Sequence, residues 1–177
     1  MSPPATLVVG IGSPHGDDQA GWCVIDLLSK SVPKSCQLSR AKVPHELLDR
    51  LDEVELMHVI DASAPTNAED GLAGADGGLS RFELAVDHAG HGKLAFVMSH
   101  RGDGHVTAEP ALRSGTTHHI DLISVMRLAQ TLRTLPPRVV LWTIPGRHFD
   151  PATELDADCE TQVRLCAGRI RRELNDA

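Results

Sequence analysis

The chain has 177 residues, 41% hydrophobic but only 3% aromatic, with no Tyr. That length and apolar content suit one globular domain, residues 1–177, with an aliphatic core, and they exclude a disordered chain. Seventeen Lys and Arg against 24 Asp and Glu leave a net charge of −7, which argues against nucleic acid as a partner, as does the lack of aromatic platforms for stacking bases.

The first predicted element is a buried strand at 7–12, apolar without interruption. Ala20, Cys23, Val24, Leu27 and Leu28 then recur at helical spacing up to Pro33. A weaker strand at 37–43 precedes a short helix. That helix has Pro44 at its first position and Leu47, Leu48 and Leu51 on its apolar side. A strand at 56–60 ends in Asp61-Ala62-Ser63, and a Gly-, Ala- and Asp-rich loop fills 65–78. Strands are expected at 79–86 and 94–98, with glycine- and histidine-bearing loops between and after them. Leu122, Val125, Met126, Ala129 and Leu132 mark a helix that stops before Pro136-Pro137. After a strand at 139–144, Asp150 and Pro151 read as cap and first position of a last helix. Its stripe is Leu155, Cys159, Val163, Cys166, Ile170 and Leu174.

Strands alternating with helices predict an α/β fold. The expected form is a three-layer αβα sandwich around a mainly parallel twisted sheet of about five strands. No apolar run is long enough to cross a bilayer, and the N-terminus has no basic or apolar leader, so a cytoplasmic protein without a membrane partner is expected. Cys23, Cys36, Cys159 and Cys166 contain no CxxC pair. Free thiols in a reducing compartment are expected, and a cysteine zinc site is not.

In such sheets ligands bind beyond the carboxyl ends of the strands. The most informative stretch lies there: Gly10-Ile-Gly-Ser-Pro-His-Gly-Asp-Asp-Gln-Ala-Gly21. A nucleotide-binding turn would present bare amides to phosphate, whereas adjacent carboxylates at Asp17 and Asp18 repel phosphate and attract a cation. Asp61 ends another strand at the same edge, and His118 precedes a helix whose loop can reach it. Two hard oxygen donors and an imidazole suit a borderline divalent metal with open positions. The plainer alternatives are helix capping by Asp17 or Asp18, a turn at Asp61, and a helix start at Thr116-Thr117-His118 capped by threonine. Asp17 could orient its loop or act as a base. His15 could be an outer ligand, and His148 could line the cleft or cover the sheet end. His88, His91, His100 and His105 read as solvated loop histidines, with a second metal site as the rarer alternative. Ser13 and Ser63 lack an identifiable base, so nothing supports a covalent serine mechanism.

Three segments in order resemble one family. The Gly10–Gly21 turn is similar to the N-terminal signature of hydrogenase maturation endopeptidases. Val59-Ile-Asp-Ala62 resembles that family's second acid at a strand end, and Thr116-Thr-His-His-Ile120 the segment that provides its histidine. The resemblance extends through Thr143-Ile-Pro-Gly-Arg147 and the last helix. It implies a phosphorylase/hydrolase-like αβα fold and removal of a C-terminal extension from the large-subunit precursor of a [NiFe] hydrogenase. It also implies the metal and catalytic residues Asp18, Asp61 and His118, and nickel brought by the substrate, with zinc or cadmium as surrogates. A monomer is favoured. The sequence departs from the pattern at Ser13, where Asn is usual, and in a shorter loop before Asp17. It also carries Arg40-Ala-Lys-Val-Pro-His-Glu in place of a glycine-rich loop, and extra residues near 87–114. These departures motivate an alternative, a metal-binding accessory protein or chaperone that recognises a related precursor without cutting it.

Overall fold

The computed structural model describes residues 6–33, 35–63, 78–86, 94–99, 105–107, 121–151 and 153–176. Strand β1 (Thr6–Ile11) lies between β2 (Cys36–Ala41) and β3 (Leu56–Ser63), parallel to both. Three antiparallel strands, β4 (Ser80–Val86), β5 (Leu94–Ser99) and β6 (His105–Thr107), extend the sheet from β7 (Arg138–Pro145), which runs parallel to β3. The order is β2-β1-β3-β7-β4-β5-β6. The α/β reading holds, and its parallel part is the β2-β1-β3-β7 block. Among the described residues the sheet has seven strands. His105, expected in a loop, lies in β6, a three-residue strand too short to show a period.

The strands are apolar on both faces because both are covered. Leu7, Val9, Ile11, Met57, Val59, Val139 and Leu141 face one core, shared with α2 (Leu122–Thr131) and the 3-10 helix Pro44–Arg50. Val8, Ile60, Ala62, Val140, Trp142 and Ile144 face the other, shared with α1 (Ala20–Leu28) and α3 (Ala157–Asn175). These two helices also pack on one another.

Two helix starts differ from the expected ones. The Asp121 carboxylate caps α2, accepting the Ser124 N–H at 2.7 Å, so the cap is not a threonine and His118 lies before it in sequence. Helix α3 begins at Ala157 behind Asp156, which accepts the Asp158 N–H, rather than at Asp150-Pro151. The residues in between are used elsewhere. Thr153 O accepts the Gly16 N–H, and the Asp156 N–H goes to Asp17.

Helix α1 crosses β1 at glycine-to-glycine contact. A Cβ on Gly10 would overlap the Gly21 carbonyl, and one on Gly21 would lie 2.5 Å from Ile11 O and 2.9 Å from Ile60 O. Gly10→Ala should therefore destabilise the protein by about 3 kcal/mol or more, the upper end of overpacking costs. The check is a lowered urea midpoint at unchanged slope.

Candidate functional site at a topological switch point

Strands β1 and β3 are neighbours, but their onward connections leave in opposite directions. After β1 the chain returns as edge strand β2, and after β3 it passes to β4 beyond β7. A crevice forms at such a point, outside the carboxyl ends of the two strands. Asp18 belongs to the 3-10 turn Gly16–Gln19 that follows β1, and Asp61 to the C-terminal end of strand β3. The turn packs against β3, so the two acids share one edge. Both are half-buried. Asp61 follows the alternation of Met57 and Val59, on the α2 side of the sheet. His118 lies outside the described residues, as do His88, His91, His100 and His119. The side chains of His15 and His148 are exposed. Among the described residues, no three His, Cys, Asp or Glu side chains are gathered as a metal would require.

The Asp18 turn is closed by its own backbone. Asp18 N–H donates to His15 O at 3.1 Å, and Ser13 N–H donates to Asp18 O at 3.2 Å. Gly12 has φ 154°, and a Cβ there would overlap the Asp18 carbonyl, so only glycine serves at this position.

The two adjacent acids differ in surroundings. Asp17 is fully buried. Its Oδ2 accepts the N–H groups of Arg147 at 2.7 Å and His148 at 3.0 Å, and its Oδ1 accepts that of Asp156 at 2.8 Å. The nearby Cys159 thiol adds to their effect. Burial pushes the Asp17 pKa up, but the donors outweigh burial and hold it below the usual carboxylate value. A buried carboxylate held ionised by three backbone N–H groups is a weak base, poorly placed to take a substrate proton. Of the two roles left open for Asp17, loop orientation is the one its contacts fit.

Thiol chemistry at this edge is disfavoured. Burial raises all four cysteine pKa values, that of Cys36 to about 11 and those of Cys159 and Cys166 further, which suppresses the thiolate. The sequence reading passed over His58. This residue is fully buried on β3 and accepts the Trp142 Nε1–H at its Nδ1, 3.1 Å away. Burial, with Arg81 and Arg138 nearby, brings its pKa down to about 4, so it is a neutral core histidine. Arg81 stacks over Trp142 and holds Glu173 of α3 through two hydrogen bonds of 2.9 and 3.2 Å.

The unusual loop after β2 is also anchored. Ala41 O accepts Trp22 Nε1–H at 3.0 Å, Arg40 lies over the Trp22 ring and pairs with Asp26, and Arg50 donates to Arg40 O at 3.0 Å. Pro44 sits in the first turn of the 3-10 helix, and Leu47 is buried.

No family model matches the chain, and no curated protein matches its sequence. Solved structures do match its fold. The hydrogenase maturating endopeptidase HybD from E. coli superposes with a TM-score of 0.66 at 16% identity, over 97% of this chain and 92% of that one. The [NiFe] hydrogenase maturation protease HycI from Thermococcus kodakarensis gives 0.64 at 14% identity, over 98% and 94%. A hydrogenase 2 maturation peptidase from a Thaumarchaeota archaeon gives 0.58 at 21%, over 96% and 97%. The chain thus resembles hydrogenase maturation endopeptidases in fold along nearly its whole length, at low sequence identity.

Proposed function

We propose that this protein is an endopeptidase that removes the C-terminal extension of a [NiFe] hydrogenase large-subunit precursor once nickel has been inserted. The observation that carries the reading is the placement of Asp18 and Asp61 on adjoining elements at the switch point of a fold shared with maturation endopeptidases. Nickel is cargo of the substrate here. Asp18, Asp61 and His118 are the donors that would meet it, and two carboxylates with one imidazole suit a divalent ion of that hardness. Recognition through the ion seats only a loaded precursor, and water then attacks the peptide bond beside it. With the thiols protonated and Asp17 committed to backbone donors, the chain's own contribution is to bind, orient and exclude unloaded tails.

The test is to present nickel-loaded and nickel-free precursor in parallel and follow the shortened product on a gel. Processing of the loaded form alone is expected. Equal processing of both forms would remove the nickel-sensing role. Binding of the loaded precursor without any shortening would assign the protein to the accessory class instead.

A further inference from the structure

The two acids of the proposed site sit on separate elements, so something must set their spacing. Local bonds within the Gly16–Gln19 turn shape the turn but do not tie it to β3. Beside the direct packing of the turn on β3, a hydrogen-bonded tie runs through Asp17. Its carboxylate holds the Arg147 and His148 N–H groups, and its own N–H donates to His148 O at 2.7 Å. One residue earlier, the Gly146 N–H donates to Ser63 O at 3.0 Å, at the end of β3. Asp61 pairs in register with Thr143 on the same β7. A continuous hydrogen-bonded path therefore links the Asp18 turn to the Asp61 strand, by way of the segment that leaves β7. Contacts along it are close. A Cβ on Gly146 would lie 2.7 Å from both Asp17 Cβ and Phe149 Cζ. A second arm, Asp17 to the Asp156 N–H and Gly16 N–H to Thr153 O, secures the same turn to the start of α3.

We infer that Asp17 is a positioning residue, which fixes the distance between Asp18 and Asp61 by clamping the 146–148 backbone to the turn that carries Asp18. This rests on the reading of Asp18 and Asp61 as the pair that meets the substrate's nickel. It divides the work of the adjacent acids, one holding the frame and the other facing the crevice. The Asp17→Asn side chain keeps the size but swaps one acceptor oxygen for an amide donor, which opposes the N–H groups it meets.

Two readouts test the inference on the full chain. The first is amide hydrogen exchange at Arg147, His148 and Asp156. Exchange should be slow in the wild type, on the order of tenfold faster in Asp17→Asn, and unchanged in Asp18→Asn. The second is steady-state processing of nickel-loaded precursor, at a temperature where every variant is fully folded. Asp17→Asn should lose on the order of tenfold to a hundredfold in kcat with KM nearly constant, the cost of misplacing a site by a fraction of an ångström to an ångström. If Asp17→Asn does not fold, Asp17→Glu, which keeps the charge but displaces it by one methylene, is read the same way. Wild-type kcat in a folded Asp17 variant, or equal amide exchange with and without the Asp17 carboxylate, overturns the positioning role. Full processing by Asp18→Asn overturns it differently, because the site reading has then failed while the clamp, seen in the exchange data, stands.

Discussion

Asp61→Asn and His118→Ala should each lose precursor processing by on the order of a hundredfold or more while keeping the fold, because each removes a ligand of the proposed site. Asn preserves the size of Asp61 and one acceptor but lacks the charge that a divalent ion selects. Asp61 is half-buried at the sheet edge, and the α2 cap belongs to Asp121, so losing the His118 imidazole leaves that helix start in place. Melting should stay within about 1 kcal/mol of wild type in both. Asp18→Ala should behave alike, since the turn around it is closed by backbone bonds. Thermal melts and processing measured on the same preparations decide the matter. Lost processing with normal melting supports the site, and full processing in both leading variants would make these residues structural.

A loss of stability by about 3 kcal/mol is expected as the pH falls from 6.5 to about 4, and its source is His58. In the folded chain this imidazole has a pKa near 4, against an ordinary 6.5. Between these values the unfolded chain binds a proton that the native state refuses, so stability rises with pH across the window and falls on acidification. Below about 4 both states are protonated and this loss levels off. The gap corresponds to about 3 kcal/mol at about 1.4 kcal/mol per pH unit. The groups opposing the charge are Arg81 and Arg138, after burial itself. The Asp17 carboxylate acts in a lower window. Its pKa is depressed, so its contribution is present above the ordinary carboxylate value and is lost only at more acid pH. Urea denaturation at a series of pH values measures both. His58→Asn, which keeps an acceptor near the Trp142 N–H without a titrating ring, should flatten the segment between 6.5 and 4. An unchanged slope in that variant would move the effect to other groups.

What could be read from the residues followed the range of the interactions. The uninterrupted run in β1 implied two covered faces, and the two cores confirm it with Val8 on one side and Leu7 and Val9 on the other. The glycines of the Asp18 turn were legible for the same local reason, since Gly12 must take a backbone conformation closed to other residues. The roles of Asp17 and Asp18 were not separable, because the donors that claim Asp17 lie 130 to 139 positions along the chain. The start of α3 was misread through the same long-range contact. Asp150-Pro151 has the local chemistry of a helix start, yet the following residues are drawn to Gly16 and Asp17. His58 gave no signal inside an apolar strand, as its partner Trp142 is 84 positions away. His118 falls outside the described residues, and its place in the site rests on the resemblance of its segment.

The most direct measurement of the central claim is an intact-mass spectrum of nickel-loaded precursor before and after incubation with the protein. The account predicts two new species, a shortened large subunit and its released C-terminal peptide, whose masses sum to that of the precursor plus one water. A precursor of unchanged mass, recovered bound to a folded and nickel-competent partner, would contradict it.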